Sequence, residues 1–462
     1  MSTGERTGLS EMAAEASVSR PFVLPEPLEL EDLGVNQGLL MELALKEIYA
    51  ERNPTAIEVS QAIALPFHLT ERILDSARTE SYIHAVRSDG YFDHQLQYGL
   101  TERGEAKVHE CLARCQYRGP VPVPLSQYCD IVRKQTIHNH TVLREDLERG
   151  LDDLVLSQDV LDHVGPGINS GKSLFLYGAS GNGKSSIATH LRNVLGGTVL
   201  IPHAIEINGQ IVKVLDPTIH EVRVPKPVED RRMDLDFKYL KDQGPETNRD
   251  LRWEICSRPV VIVGGELTLN QLEFQYDTHL RYHQAPLHMK AAGGILVIDD
   301  FGRQRVSPRD LLNRWIVPMD RGVDYLPLPT GETIEVPFDL LLVFSTNLRP
   351  QDVVDEAFVR RLRHKVFIPN PTPEQFNILF FREAAARGLA MTQDLSDYIV
   401  EKYYRQGERE MRCCHARDIL SNVDDIRRYE GDISPLTLDS LVRAADAYFL
   451  FEEGGAKLRT PD

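Results

Sequence analysis

Cationic side chains are in deficit here: 52 lysines and arginines stand against 69 aspartates and glutamates, a formal net charge of −17. So acidic a chain lacks the broad positive field that nonspecific wrapping of nucleic acid requires, although a small local basic site is compatible with it. Cysteine is also sparse. Six, scattered over 462 residues, make no disulfide framework, which sets the expectation of a reducing, cytoplasmic compartment. Cys111 and Cys115, with His109 and Cys129 near them in sequence, read as reduced, helix-packing thiols rather than a metal centre. No apolar run approaches the length of a membrane span, and residues 1–15 are too polar and acidic for a secretion signal. What remains is the balance of an ordinary globular protein, 42% hydrophobic and 26% charged. The length predicts two to four domains rather than one core.

The most informative stretch runs from Leu174 to Ser186. A short apolar segment reads as a buried strand, and the glycine-rich run behind it opens a helix. That helix carries Ile187, Leu191, Val194 and Leu195 on one face and stops at Gly196-Gly197. Gly178, Ala179, Ser180, Gly181, Asn182, Gly183, Lys184, Ser185 and Ser186 fit the pattern G-x-x-x-x-G-K-S, a phosphate cradle. The glycines let successive N–H groups turn inward, and the helix start adds its partial positive charge. Lys184 supplies a mobile cation for the outer phosphates, and the Ser185 hydroxyl can ligate Mg²⁺. Such a cradle implies a bound nucleoside triphosphate.

Taken in order, residues 1–33 are rich in Glu, Pro and Ser with little periodicity and read as a flexible arm. Residues 34–118 give three helices, a hairpin and a last helix capped by Thr101, with a capping box at Thr55 and Glu58. That order is similar to a winged helix-turn-helix module. In such modules the third helix often enters the DNA major groove. Residues 34–120, however, hold twelve acidic and nine basic side chains, which favours protein docking and leaves DNA binding as the alternative. Residues 119–126 read as a stiff proline-rich linker. A mainly helical segment follows to 169, and the stretch 161–168 is the expected loop beside the base.

Residues 204–214 alternate around Asn208-Gly209, a hairpin signal. The charged stretch 225–248 reads as a surface insertion, 259–264 as a buried strand, and 266–288 as helix and loop. Residues 293–300 form the second chemical motif, four apolar residues ending in Asp299 and Asp300. It places two carboxylates at the edge of a parallel sheet beside the cradle. Asp299 is expected to hold Mg²⁺ through water, and Asp300 to orient or deprotonate the attacking water. Residues 324–336 make another hairpin, and the strand 340–344 leads to Asn347, an amide placed for the lytic water or the γ-phosphate. Arg360, Arg361 and Arg363 form a tight cationic cluster, and 372–462 read as an all-helical tail holding Arg417.

This order of motifs resembles the AAA+ ATPases, over roughly Gln127 to the end of the chain. The cradle looks like Walker A, and residues 295–300 are similar to Walker B. Asn347 matches the first sensor, Arg360 or Arg361 the arginine finger, and Arg417 the second sensor. The segment 291–299 and the hairpin before Asn347 are similar to the helicase-loader and enhancer-binding-activator branches and to a group of bacterial AAA+ proteins that supplies no substrate. The resemblance implies an α/β fold: a P-loop NTPase parallel sheet in residues 127–371, a C-terminal helical lid in 372–462, and the winged-helix-like module in 34–118. It further implies ATP and Mg²⁺ as cofactors, hydrolysis, a homo-oligomeric ring (most often a hexamer) and a protein client. Asp300 departs from the usual glutamate by one methylene, as helicase-loader and initiator relatives also do.

Overall fold

A computed structural model of the chain describes residues 23–86, 96–223, 249–353, 359–360, 362–431 and 436–457, the last eight by backbone alone. The charged stretch 225–248 and Arg361 lie outside the described residues.

The first module comprises helices Gln37–Glu51, Ala56–Ile63 and Phe67–Thr79, strands β1 (Ile83–Val86) and β2 (Gln97–Leu100), and helix Glu102–Arg114. The two strands pair antiparallel. Thr55 and Glu58 form their capping box, the Thr55 amide donating to the Glu58 carboxylate at 2.7 Å. Thr101 caps the last helix by accepting from the Gly104 amide.

Residues 23–33 do not behave as a free arm. Leu33 is fully buried in the core of the first module, and Asp250 donates its amide to the Leu24 carbonyl at 3.0 Å. Glu29 pairs with Arg72 at 2.5 Å and Leu28 bonds His68, so this segment lies against helix Phe67–Thr79. Nor are residues 119–126 a free spacer. Val121 and Val123 are both fully buried, Val121 donates to the Ile63 carbonyl, and β3 (Val123–Pro124) belongs to a sheet. Alternate valines between the prolines give this extended run one apolar face, and burying it outweighs the advantage of a spacer.

The next strands are β4 (Ser173–Tyr177), β5 (Thr198–Pro202), β6 (Ala204–Ile207), β7 (Gln210–Lys213), β8 (Trp253–Ser257) and β9 (Val260–Val263). They are followed by β10 (Gln275–Asp277), β11 (Tyr282–Gln284), β12 (Ile295–Ile298), β13 (Val323–Pro327), β14 (Thr333–Pro337), β15 (Leu341–Thr346) and β16 (His364–Phe367). The central sheet has the order β16-β4-β15-β12-β9, parallel throughout. Its side chains alternate between two cores, as a pleat covered on both faces demands. Leu174, Leu176, Val297 and Val343 face helices Gln158–Asn169 and Lys184–Leu195, while Phe175, Leu296 and Phe344 face Trp315 and Leu311 of helix Pro308–Arg321.

A second five-stranded sheet, β10-β11-β7-β6-β3, joins the first module to the rest. Its β6–β7 hairpin turns at Asn208-Gly209, both with positive φ. The stretch 266–288, expected as helix and loop, instead supplies β10 and β11 to it. Strands β13 and β14 form the expected hairpin. The C-terminal segment is helical, with helices Pro373–Ala386, Gln393–Ile399, Cys413–Glu430 and Leu438–Lys457 around Phe376, Phe380, Tyr404 and Leu420.

Candidate active site

Five parallel strands set the place of the chemistry. Numbered along the chain, they run 5-1-4-3-2, so the chain leaves β4 toward one edge of the sheet and leaves its neighbour β15 toward the other. Open α/β sheets hold ligands outside the carboxyl ends of their strands at such a point. The glycine-rich run leaves β4 there, and helix Lys184–Leu195 follows it directly.

Two glycines in the run are required by their surroundings. A Cβ on Gly178, at φ +144°, would sit 2.4 Å from the Ile368 carbonyl oxygen. One on Gly181, at φ +81°, would sit 2.4 Å from the Cys414 sulfur. The curl brings Lys184 back over its own loop, where the ammonium donates to the carbonyls of Gly178 (3.0 Å) and Ala179 (2.9 Å). It also donates to Asn347 Oδ1 at 2.9 Å, just past the end of β15. Burial lowers the Lys184 pKa, with Arg412 acting the same way and the charges of Asp299 and Asp300 opposing.

Asp299 follows the end of β12 and accepts the Ser185 hydroxyl at 2.7 Å. Its second oxygen accepts the amide of Asp300 at 3.1 Å. Asp300 is exposed at φ +49°, a left-handed conformation that turns it away from the strand direction. Ser180, Gly181, Asn182, Gly183, Lys184, Ser185, Ser186, Asp299, Asp300, Asn347 and Arg417 all line one cleft of about 470 Å³. A volume of that order suits a ligand of nucleotide size. Arg417 reaches the cleft from helix Cys413–Glu430, its guanidinium paired with Asp418 at 2.9 Å.

Arg360 is exposed, as is Arg363, and neither lines this cleft. The base-side loop also differs from expectation. Residues 161–168 belong to helix Gln158–Asn169, and the cleft is lined instead by residues 153–156 just ahead of it. Arg382 of the helical segment holds that loop by donating to the carbonyls of Asp152 (3.1 Å) and Asp153 (3.2 Å).

Further cleft neighbours were not legible in the sequence. Buried Asn182 donates to the Pro369 carbonyl (3.2 Å) and to Asn370 Oδ1 (2.8 Å), tying the cradle to the end of β16. The Cys414 amide donates to the Gly181 carbonyl at 2.9 Å, so the helical segment is hydrogen-bonded to the cradle itself. Of these, Asn370 after β16 had a usable signal, since a polar side chain there marks a strand's carboxyl edge. Cys413 and Cys414 carried none. Among the described residues no cluster of His, Cys, Asp and Glu could hold a metal ion by itself, including the one around Cys111.

A family model described as "Domain of unknown function (DUF8689)" matches residues 372–447. No curated protein matches the chain. Among solved structures, the chain is similar to the Thermotoga maritima RuvB Holliday junction branch migration motor, with 10% identity, 67% of this chain and 73% of that chain covered, and a TM-score of 0.34. It is similar to the complex of magnesium chelatase subunits BchI and BchD, with 14% identity, coverages of 66% and 94%, and a TM-score of 0.32. It is also similar to Staphylococcus aureus MarR in complex with salicylate and kanamycin, with 22% identity, coverages of 18% and 53%, and a TM-score of 0.15.

Proposed function

We propose that this chain binds ATP with Mg²⁺ and hydrolyses it, and that it works as a ring-forming remodeller of a protein partner. One observation carries the reading: a buried lysine anchored on its own glycine-rich loop and on Asn347, beside a Ser185–Asp299 pair, all outside the carboxyl ends of neighbouring parallel strands. The donor set suits the ligand. Loop amides and the Lys184 ammonium favour phosphate oxygens, and a hydroxyl beside a carboxylate favours a hard, oxygen-seeking cation.

When bound, Mg²⁺ would neutralise phosphate charge in the transition state. Lys184 exchanges its carbonyl partners for the outer phosphates. Ser185 and Asp299 would hold the cation. Asp300 orients the lytic water and takes its proton, and Asn347 fixes that water or the terminal phosphate. Arg417 closes from the helical segment as the lid's sensor.

Arg360 and Arg363 do not line the cleft of their own chain, and their exposure suits a finger offered to the next copy. Arg360 or Arg361 would then act in trans, and loss of such a group costs on the order of 10³–10⁵ in rate. A protein client is favoured because helix Phe67–Thr79, the element that would read DNA, has Arg72 neutralised by Glu29. An ATP-switched DNA-binding regulator predicts the opposite: duplex DNA should bind with a steep salt dependence and alter turnover.

The deciding experiment mixes Arg361→Ala and Lys184→Ala subunits. Each alone should be inactive, and the mixture should recover part of the activity because some interfaces join an intact cradle to an intact finger. Inactive mixtures would refute the shared site. Absence of ATP affinity by calorimetry in the unaltered protein would refute the whole reading.

A further inference from the structure

A cavity of about 620 Å³ lies where the first module meets the second sheet, and it shares no lining residue with the cleft at the cradle. Its walls come from helix Gln37–Glu51, from β7, and from β10 and β11. Three of its polar groups lack what burial demands.

Lys46 is only 1% exposed, and its ammonium has one hydrogen bond, at 3.3 Å to the Tyr117 carbonyl. No carboxylate among the described residues pairs with it. The other cations of the cavity are engaged, Arg114 with Glu42 and Arg281 with the Ala113 carbonyl. His283 is 4% exposed, and its Nδ1 has no partner. The buried Oε1 of Gln210 has none either. A buried ammonium held by one neutral acceptor is costly, and so is each orphaned polar atom. Such groups call for an explanation, and a bound ion or ligand is one that restores their hydrogen bonds.

We propose that this junction cavity binds a small organic anion that also carries a hydrogen-bond donor. The anion's oxygens take the two open donor positions of Lys46, and its own donor meets Gln210 Oε1. His283 Nδ1 serves either, according to its tautomer. Tyr276 and Tyr282 supply flat apolar walls for the ligand's body. With one wall from each body, a bound ligand fastens the first module to the sheet. This site is independent of the nucleotide reading.

The test titrates the full chain calorimetrically with 4-hydroxybenzoate, with glycerol 3-phosphate, and with uncharged 4-hydroxybenzamide. One acid should saturate and the amide should not, and which acid does so identifies a carboxylate or a phosphate ligand. In Lys46→Met the affinity for that acid should fall about tenfold or more, the scale of one charge-assisted hydrogen bond, while ATP affinity is unchanged. Gln210→Leu should weaken it too. Ligand-free Lys46→Met should melt higher than the parent, because a residue kept for a ligand costs the empty protein stability. Failure of both acids to saturate by roughly 10 mM, equal binding by Lys46→Met, or a lower melting temperature or misfolding of that variant would overturn the proposal.

Discussion

At the scale of single residues, the Asp299–Asp300 pair divides two tasks by backbone geometry. Asp299 is spent on neighbours, accepting the Ser185 hydroxyl and the next amide, so its oxygens are fixed where a cation would sit. Asp300 takes the left-handed backbone at φ +49°, and its exposed carboxylate is left to face the cleft. Asparagine tolerates that conformation as well as aspartate does, so Asp300→Asn should leave folding intact. It cannot accept a proton. Turnover should drop by about 10²–10⁴, the usual worth of a positioned base, with ATP affinity preserved. Phosphate release and calorimetry on the same preparation check both halves, and a variant retaining a third of the parent rate would remove Asp300 from the reaction. Lys184→Ala should do the reverse and abolish binding, since the cation anchored on Gly178, Ala179 and Asn347 is the one proposed to meet the phosphates.

At the scale of elements, the cradle and the lid meet at one crowded point. The Gly181 carbonyl accepts the Cys414 amide, and the Cys414 sulfur occupies the space a Cβ on Gly181 would need. Gly181→Ala therefore carries two penalties: a left-handed alanine, at about 1–2 kcal/mol, and a clash that pushes helix Cys413–Glu430 off the loop. Cys414→Ala removes only the second. The double variant should recover part of the lost ATP affinity, and the coupling is read from a double-mutant cycle. Effects that add to within about 0.5 kcal/mol would show that the lid does not bear on the cradle.

The same junction shows what the sequence made visible. The strand, cradle and helix were legible because the glycine-lysine-serine pattern fixes residue types at close spacing, and the Thr55 and Thr101 caps because capping is local. The second sheet, beyond its β6–β7 hairpin, was not. Strands β3, β10 and β11 are two or three residues long, too short to show alternation, and β3–β6 and β7–β11 are parallel pairings between distant segments. The stretch 161–168, expected as a loop, is helix with Gly165-Pro166-Gly167 inside it. The reason is packing: a Cβ on Gly167 would lie 2.7 Å from the Leu174 side chain, so that glycine lets the helix approach β4. Asn182, by contrast, was counted with the cradle, but its anchoring to Pro369 and Asn370 spans nearly two hundred residues and no local pattern records it.

At the scale of the whole molecule, buried histidines tie stability to pH. His288 has no exposed side-chain surface, and its Nε2 lies 3.2 Å from an Asp324 oxygen without the alignment of a hydrogen bond. Asp324 is already clamped by both terminal nitrogens of Arg314, at 2.6 and 2.9 Å, and Arg314 also holds Glu273. With its carboxylate neighbour committed, His288 stays neutral: burial lowers its pKa to about 4, Arg314 adds to that, and Asp324 opposes. His415, in the lid, is likewise lowered to about 4, by burial first and Arg412 second, against Asp418. In the unfolded chain both would take a proton near pH 6.5. Between pH 6.5 and 4 the unfolded state therefore binds more protons than the folded one, so stability is complete above 6.5 and declines as the pH falls. For His288 alone the loss is on the order of 3 kcal/mol. Urea unfolding at pH 7 and pH 4.5 should show it, and His288→Leu should flatten the dependence by nearly one proton's worth. An unchanged slope in that variant would mean that the group beneath the β13–β14 hairpin already carries its proton in the folded protein, and that the Arg314–Asp324 clamp is looser than its distances imply.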